Sequence, residues 1–424
     1  MIHTEQNSMM PRDGSLKIWL EIDACRLCGS RQLKDVLDLG IQPPANSLRR
    51  SRDEPITSVP LKLVYCMHCS AVQLTATVDP AYLFSKYVWV TSTSATARTY
   101  SEVFCNEVLR RLSVSSPFIV EIASNDGTFL SRFKDKGCNV LGVDPAANIA
   151  SAATAAGIPT LAEFFDERVA ASILGSSGRP QVIIARNVIP HVKEIHSIVK
   201  GLVELAGGDG TVVLEFHYAK AIVDELHYDS IYHEHLFYFS LKSLFALFKQ
   251  YGLLPVDAFA SPISGGSLVV FFTASRMSTV SGALQKLIDA ENEVGLNELS
   301  TWLKFGRASE EHARGLKRLV DGYAAKEQII AYGASARSST LMNFAGISSK
   351  EIEFVIDRNP LKRGLFTPGT DIPIASYESA RGKLKGRDLL LLAWNFEEEV
   401  VGDLRAMDFK GDIIVPLPNT IHIR

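Results

Sequence analysis

The sequence lacks a long apolar run, a secretory signal and an excess of charge of either sign. None of its apolar stretches approaches the roughly 18 residues that a membrane-spanning helix needs, and no basic region followed by an apolar one opens the chain. Lys and Arg total 44 against 47 for Asp and Glu, a net charge of −3 that excludes a global basic surface for nucleic acid. We therefore expect a cytoplasmic protein with no membrane and no nucleic-acid partner.

Cysteine is also scarce, with six residues in 424, too few for a disulfide-framed scaffold of this length. Four of the six form two Cys-x-x-Cys pairs, Cys25/Cys28 and Cys66/Cys69. Two such pairs offer four thiolates, which fill the tetrahedral shell of one Zn²⁺ and leave no position open for substrate or water. The spacing predicts a structural zinc site; two unrelated pairs of buried thiols, or a redox pair, are the alternatives.

At roughly 100–200 residues per domain, the length predicts between two and four domains. The sequence favours a zinc-binding domain over residues 1–85, an α/β domain over 86–275 and a second α/β domain over 276–424. In the last two, short apolar strands alternate with helices, which is typical of doubly wound sheets. The strands predicted for them are 118–122, 139–143, 181–185, 211–215, 328–332, 353–356, 388–392 and 412–415. An antiparallel hairpin near 253–273 is expected to complete the central sheet.

The loop Glu121–Gly127 joins the first of these strands to a helix, and Asp144-Pro145 follows the next strand, about 20 residues on. Such a turn points backbone N–H groups at a ligand, and the later acid can accept hydrogen bonds from ribose hydroxyls. The pair resembles motif I and the acidic loop of class I S-adenosylmethionine (SAM) methyltransferases, although Ala123 and Asn125 stand where glycine is common. A dinucleotide site and an ordinary turn are the alternatives. The candidate SAM-binding residues in these loops are Glu121, Ala123, Asn125, Asp126, Gly127, Asp144 and Pro145.

Ionisable side chains concentrate in the segment Tyr232-His233-Glu234-His235, and Asn187 and His191 follow the third predicted strand. Since groups after the carboxyl ends of strands converge in α/β folds, these side chains are expected to share one site. A His of near-neutral pKa suits removal of a proton from the carbon beside a ketone, and a Tyr or His can donate to the developing enolate oxygen. A surface loop is the alternative. A zinc site is disfavoured because His-Glu-His lacks the i, i+4 spacing of a helical zinc motif.

A second strand-to-helix loop, Gly333–Thr340, combines small residues, hydroxyl groups and Arg337. A helix N-terminus of this composition suits a phosphate group. Asp357 follows the next strand, where its carboxylate can hold a hydroxyl of a ribose or a sugar. The loop therefore predicts a nucleotide diphosphate as ligand, and a purely structural turn is the alternative.

These motifs occur together and in order from about Cys25 to Arg424. As a set, the chain resembles the SAM-dependent sugar C-methyltransferases of deoxysugar and antibiotic biosynthesis. Besides the four cysteines, the segments that carry the resemblance are Glu121–Gly127, Ile231–His235, Ser264–Gly266, Tyr332–Ala334, Asp357–Pro360, Thr367–Thr370, Ala393–Asn395 and Ile421–Arg424. The family implies a zinc-binding N-terminal domain, a central class I SAM methyltransferase domain and a C-terminal Rossmann-like domain that holds the nucleotide sugar.

The implied reaction is methylation of C-3 in a dTDP-linked 4-keto-deoxysugar, in which a base removes the C-3 proton and the enolate carbon attacks the SAM methyl group. By position, the resemblance implies His235 as the base, with Tyr232, Glu234 and His191 around it and Asn187 beside the cofactor. The residues implied for the substrate are Trp89, Gly333, Ser335, Arg337, Ser338, Asp357 and Asn395.

Two other functions are compatible with the same motifs. One is SAM-dependent C-methylation of another activated carbon, in a natural product that is not carried by dTDP. The other is a zinc-anchored binding protein without catalysis, which an intact Tyr232, Glu234 and His235 argue against. Three domains with a large combined core favour a monomer.

Overall fold

A computed structural model describes residues 18–84, 91–112, 114–275 and 279–423 of the chain. Trp89, which the sequence analysis assigns to the substrate, lies outside these residues. The described residues form four β-sheets, of two, four, seven and six strands. The fold follows the α/β class and the three-part arrangement that the sequence predicts.

The N-terminal part is a small antiparallel structure around the cysteine pairs. Its elements are β1 Trp19–Glu21, β2 Leu33–Gln42, β3 Val59–Cys66, β4 Val72–Leu74, β5 Ala76–Val78 and α1 Pro80–Phe84. β2, β3 and β4 pair antiparallel in that order, whereas β1 pairs with β5. Val59, Leu61 and Leu63 recur at every second position of β3 and are almost fully buried, so this strand carries the core of the sheet.

The central part is a seven-stranded doubly wound sheet. Its strands are β6 Phe118–Ile122, β7 Asn139–Val143, β8 Thr160–Leu161, β9 Val182–Arg186, β10 Thr211–His217, β12 Leu254–Ser261 and β13 Ser267–Thr273, with β11 Phe237–Tyr238 outside it. The helices are α2 Ala95–Leu109, α3 Thr128–Asp135, α4 Ala147–Ala155, α5 Glu167–Ser177, α6 Ile195–Ala206, α7 Ala219–Asp224 and α8 Leu241–Lys249.

The strand order of this sheet is β12-β13-β10-β9-β6-β7-β8. All neighbours are parallel except β13, which runs antiparallel to both β10 and β12. The order reverses between β6 and β9, which is where doubly wound sheets open a crevice for a ligand. The four central strands and the terminal hairpin form within two residues of their predicted bounds, and these predictions are confirmed.

The C-terminal part is a second, smaller sheet preceded by two helices. Its elements are α9 Gly282–Glu293, α10 Leu299–Ala324, β14 Ile329–Tyr332, α11 Ala336–Ala345, β15 Ile352–Ile356, β16 Ile374–Ala375, α12 Tyr377–Ala380, β17 Leu389–Leu391, α13 Glu397–Ala406, β18 Ile413–Val415 and β19 Ile421–Ile423. The order is β16-β15-β14-β17-β18-β19, parallel up to the last strand. This confirms the Rossmann-like arrangement.

The three parts are joined by direct contacts. β11, from the central part of the sequence, pairs with β4 and so becomes the edge strand of the N-terminal sheet. Gly306 of α10 packs on β2, and a Cβ there would lie 2.3 Å from the carbonyl oxygen of Val36. Only glycine allows the helix to approach the strand this closely. Of the described helices, none combines the length and apolarity required to traverse a bilayer.

Candidate functional site

The four predicted metal ligands come together. The Sγ atoms of Cys25, Cys28, Cys66 and Cys69 all lie within 4.8 Å of one another, and the Cys25–Cys69 and Cys28–Cys66 pairs are each 3.6 Å apart. A tetrahedral Zn²⁺ with Zn–S bonds of ~2.3 Å holds its sulfurs ~3.8 Å apart. The cluster therefore fits one zinc ion and leaves it no further coordination position.

The local backbone explains why these thiols face one another. Each Cys-x-x-Cys pair forms a tight turn, closed by the Gly29 N–H on the Cys25 carbonyl (2.8 Å) and by the Ser70 N–H on the Cys66 carbonyl (3.0 Å). Both turn residues have positive φ, 72° and 61°. The Gln73 amide also donates to Cys25 Sγ at 3.0 Å, which stabilises a thiolate there. Zinc in this position would link the two turns directly.

The predicted cofactor loop keeps a glycine-like backbone without the usual glycines. Ala123, Asn125 and Gly127 have φ of 52°, 51° and 75°. The left-handed region costs Asn little and Ala more, so the surrounding structure has to hold Ala123 in place. The non-glycine residues therefore preserve the turn between β6 and α3, next to the crevice between β6 and β9.

Asp144, directly after β7, holds this loop in place by a hydrogen bond. One carboxylate oxygen accepts the Asn125 N–H and the other the Ala146 N–H, both at 2.9 Å. Each oxygen keeps a second lone pair, which is what recognition of two ribose hydroxyls requires. The residues present thus fit a nucleoside cofactor. Pro145 lies half-buried directly after Asp144.

A short turn at residues 91–93 covers the same loop from the other side. Asn125 Oδ1 accepts the backbone N–H of Thr91, and Asp126 Oδ2 accepts that of Ser92, both at 2.9 Å. The Asn125 and Asp126 side chains therefore hold the turn that precedes α2 against the cofactor loop. The predicted roles of these two residues as cofactor ligands remain predictions.

Glu121, at the start of the loop, belongs to a buried charge cluster that was not predicted from the sequence. Arg186 Nε is 3.4 Å from Glu121 Oε1 and 3.5 Å from Glu215 Oε2, and its guanidinium carbon lies 3.0 Å from the centre of the Phe129 ring. Burial raises the pKa of Glu121 to about 7, while the neighbouring Arg186 opposes the rise. The predicted role of Glu121 in cofactor binding remains a prediction.

A cavity of about 270 Å³ opens beside the cofactor crevice. It contains the predicted residues Asn187, His191, Tyr232, Glu234 and His235 together. The further lining residues are Pro190, His217, Ile222, Phe237, Tyr238, Ile263 and Ser264. The sequence prediction that side chains from separate strand ends share one site is therefore consistent with the observed placement.

His235 has one nitrogen fixed and one available in this cavity. Nδ1 lies 2.9 Å from the Ser230 carbonyl oxygen, to which it can only donate. Nε2 is consequently the acceptor in the neutral ring, and the Tyr232 hydroxyl donates to it at 2.8 Å. Burial, with His191 nearby, holds the pKa of His235 well below its usual value. The imidazole is neutral at physiological pH and presents one basic nitrogen.

His191 and Glu234 complete the same cluster. The His191 ring meets His235 edge-to-face with centroids 4.8 Å apart, and its Nδ1 donates to the Glu234 carbonyl at 2.8 Å. The Glu234 carboxylate accepts from the Asn46 amide at 2.6 Å. Burial raises the pKa of Glu234 to about 7. Asn46, in the N-terminal part, has no sequence signal that would have linked it to this motif.

The second predicted loop reaches the rim of the cavity through Arg337. Its guanidinium pairs with both Asp229 oxygens, at 2.8 and 3.0 Å, and donates to the Ser264 carbonyl at 3.0 Å. It also stacks over Trp394, whose indole N–H donates to Asp229 at 2.8 Å. Asp229 lies three residues before Tyr232, a position at which an additional acid could have been suspected from the sequence.

The remaining predicted substrate residues lie around the start of α11. The Ser335 hydroxyl caps the helix by accepting the Ser338 N–H at 3.1 Å, and the Ser338 hydroxyl donates to the Ser335 carbonyl. Asp357 accepts the Ala334 N–H at 2.8 Å. Gly333 passes so close to Ala393 that an added Cβ would lie 2.7 Å from the Ala393 side chain. Asn395 is half-buried in the turn after β17.

Three family models match successive segments of the chain. Residues 25–84 match a zinc-binding domain model, residues 97–257 a methyltransferase domain model and residues 262–418 the model described as C-methyltransferase C-terminal domain. The C-methyltransferase NovU of Streptomyces niveus is 32% identical over 403 residues, which cover 94% of this chain and 96% of NovU.

Solved structures that are similar to this chain cover less than half of it in the two cases that follow. PH0226 protein from Pyrococcus horikoshii OT3 aligns with 46% of this chain and 98% of its own, at 13% identity and a TM-score of 0.36. Magnesium protoporphyrin IX methyltransferase from Synechocystis PCC 6803 aligns with 42% of this chain and 79% of its own, at 10% identity and a TM-score of 0.33.

Proposed function

This chain belongs to the family of SAM-dependent C-methyltransferases, and we propose that its substrate is a nucleotide-linked 4-keto-deoxysugar, methylated at C-3, with dTDP as the favoured nucleotide. The observation that carries the proposal is the His235–Tyr232 pair inside the cavity. A carbon next to a ketone is acidic enough for a neutral imidazole to deprotonate, so a base and a donor to the ketone oxygen are what this chemistry requires.

His235 Nε2 is the group we propose to take the C-3 proton. The other ring nitrogen, Nδ1, already donates to the Ser230 carbonyl. Nε2 is therefore the only nitrogen of His235 that can accept the proton. Tyr232 now donates to Nε2. A substrate carbon that approaches this nitrogen displaces the hydroxyl, which then donates to the 4-keto oxygen as enolate charge develops. When bound, SAM supplies an electrophilic methyl group to the nucleophilic carbon.

The size of the cavity supports a single ring as its occupant. At about 270 Å³ it lies just below the roughly 300–1,000 Å³ that is usual for ligand pockets. The nucleotide of a sugar nucleotide therefore has to extend outside it. We propose that it extends over the start of α11, with Trp89, Gly333, Ser335, Arg337, Ser338, Asp357 and Asn395 as the surrounding residues.

Arg337 is the residue we assign to the diphosphate. Its contacts with Asp229 and Ser264 use three of the five guanidinium N–H groups. Two donors remain for phosphate oxygens, while Asp229 and Trp394 fix the plane in which they point. Because Asp229 pairs with Arg337, the net positive charge at this position is reduced. Diphosphate binding should therefore depend more on the direction of the remaining N–H groups than on charge.

A calorimetric titration tests the substrate class. The protein is saturated with S-adenosylhomocysteine and titrated with dTDP, UDP, GDP and ADP. We expect clear preference for dTDP, and an Arg337→Gln variant should lose most of that heat while retaining S-adenosylhomocysteine. Binding of S-adenosylhomocysteine without a response to any nucleotide would place the acceptor outside the sugar nucleotides.

We also propose that the enzyme acts in the cytoplasm as a monomer. All six cysteines are free thiols, four of them placed as zinc ligands, and a reducing compartment preserves that state. The described residues that line the cavity all belong to one chain, so the proposed chemistry needs no second subunit. Light scattering at working concentration should give one chain mass near 46.5 kDa.

A further inference from the structure

Two histidines and a glutamate form a line from the cavity to the protein surface. His217 lines the cavity, and its Nε2 lies 3.3 Å from Nδ1 of His227. His227 is fully buried, and its Nε2 lies 3.0 Å from Glu225 Oε2. The Glu225 side chain is about half exposed. None of these three residues has a part in the reaction proposed above.

The two ends of the line define the tautomers. His227 Nε2 faces a carboxylate, so it carries the proton, although its N–H is not aligned closely enough for a hydrogen bond and the exposed Glu225 has to turn slightly to accept it. His227 Nδ1 is then an acceptor, and His217 Nε2 donates to it. His217 Nδ1 is left as an unprotonated acceptor, and no hydrogen bond to it occurs among the described residues.

Both rings are uncharged at rest. Burial lowers the pKa of His227 to about 4, with Arg337 lowering it further and Asp229 opposing. Burial, followed by the charge of Arg337, holds the pKa of His217 well below its usual range. Neutral imidazoles that are hydrogen-bonded in series accept a proton at one nitrogen and release another from the opposite nitrogen, and they carry no resting charge that would block the transfer.

We propose that His217, His227 and Glu225 are a proton relay that carries the proton taken from the substrate carbon out of the substrate-filled cavity to solvent. This inference rests on the proposed function. His235 is only partly exposed and its Nδ1 is committed to a backbone carbonyl, so a proton received at Nε2 cannot leave through the other side of the ring. His217 lines the same cavity and presents an unprotonated Nδ1.

The proton transfers balance in three steps. Protonated His235 gives up the Nε2 proton, through a water molecule in the cavity, to His217 Nδ1. His217 releases its Nε2 proton to His227 Nδ1, and His227 releases its Nε2 proton to the Glu225 carboxylate, which exchanges with bulk water. No electron or heavy atom moves, and each ring returns to its first tautomer once the protons have reset.

Deuterium exchange separates this relay from methyl transfer. With S-adenosylhomocysteine bound, methylation is blocked, but the keto sugar can still be deprotonated and reprotonated in D₂O. We expect the native enzyme to incorporate deuterium at the reacting carbon. In His227→Phe, the ratio of deuterium incorporation to single-turnover methyl transfer should fall at least tenfold, because His235 returns the original proton to the substrate.

The controls distinguish a relay from a structural role. Glu225→Asp should retain the ratio and Glu225→Gln should lower it, while His312→Asn, at a half-buried histidine that contacts Tyr228 outside the cavity, should leave it unchanged. Equal losses of exchange and methyl transfer in His227→Phe, or an unchanged ratio, would overturn the relay. Absence of both reactions in the native enzyme would instead overturn the proposed substrate.

Discussion

Two histidines, His233 and His235, lie in the segment Asp229–His235, here called the catalytic segment. We expect different roles for them because their ring nitrogens contact different partners. His235 presents one basic nitrogen to the cavity, whereas His233 donates from Nε2 to the Val59 carbonyl, 3.1 Å away in β3. Since a carbonyl accepts only, His233 Nε2 carries the proton. His233 therefore links the segment to the N-terminal sheet and has no direct role in the proposed reaction.

The titration of His233 gives a prediction for stability. Burial lowers its pKa to about 4 in the folded state, against an unfolded value of about 6.5. Below that unfolded value the unfolded chain binds the extra proton, so the His233 contribution to stability is lost as pH falls from about 6.5 toward 4. Between pH 7 and pH 5, native protein should lose about 2 kcal/mol more than His233→Gln.

Urea denaturation of both proteins at the two pH values checks this. Comparing the two proteins cancels the opposing contribution of Glu121 and Glu234, whose folded pKa values of about 7 favour the folded state as pH falls. Parallel pH dependences in native protein and variant would show that His233 is not a buried neutral histidine.

At the level of elements, the catalytic segment is held by both flanking domains. α11 contacts it through the Arg337–Asp229 pair and through Thr340, whose hydroxyl donates to the Ile231 carbonyl at 3.0 Å. The N-terminal sheet holds it through Asn46 and through the pairing of β11 with β4. The position of His235 thus depends on contacts made by residues far apart in sequence.

The Arg337–Asp229 pair should show strong coupling. Both side chains are largely buried, so replacing one leaves the other charge without a partner, at a cost of about 3–5 kcal/mol. We expect Asp229→Asn and Arg337→Gln each to destabilise the protein strongly, and the double variant to lose less than the sum of the two by at least about 1 kcal/mol. Thermal or urea unfolding of the four proteins measures the coupling. Simple additivity would mean that the pair is not formed.

Periodicity and strand-to-helix loops were enough to predict most of the fold. Buried apolar strands such as 118–122 and 139–143 have few alternatives in an alternating α/β pattern, and two Cys-x-x-Cys pairs have few partners besides one metal. Long-range side-chain contacts could not be predicted in this way. Asn46 reaches Glu234 across 188 residues of sequence, and β11 is a two-residue strand whose partner lies in another domain. Neither leaves a local pattern.

For the molecule as a whole, the sheet that carries the cysteine cluster is connected to the proposed catalytic residues through strand pairing. The cysteines organise the sheet that contains β4, and β4 pairs with β11, two residues after His235. The cofactor loop, by contrast, contacts Thr91, Ser92 and Asp144, none of which belongs to that sheet. Loss of zinc should therefore affect turnover and cofactor binding differently.

Chelation or a Cys66→Ser substitution tests this separation. We expect a lower melting temperature and loss of turnover, while S-adenosylhomocysteine still binds with similar affinity to the remaining folded central domain. Cys105→Ser, at a buried thiol outside the cluster, is the matched control and should retain both zinc and turnover. A zinc-free protein with an unchanged melting temperature would contradict a structural role for the metal.

We propose that His235 removes a proton from a keto sugar and that the resulting carbon is methylated. The most direct measurement incubates native protein and His235→Asn with SAM and a dTDP-linked 4-keto-deoxysugar, and then locates the new methyl group by NMR. Native protein should place one methyl on C-3, and His235→Asn should lower the rate at least 10²-fold, the lower limit of a general base's contribution, with S-adenosylhomocysteine affinity retained. A methyl group on oxygen or nitrogen, or unchanged turnover in His235→Asn, would contradict the account.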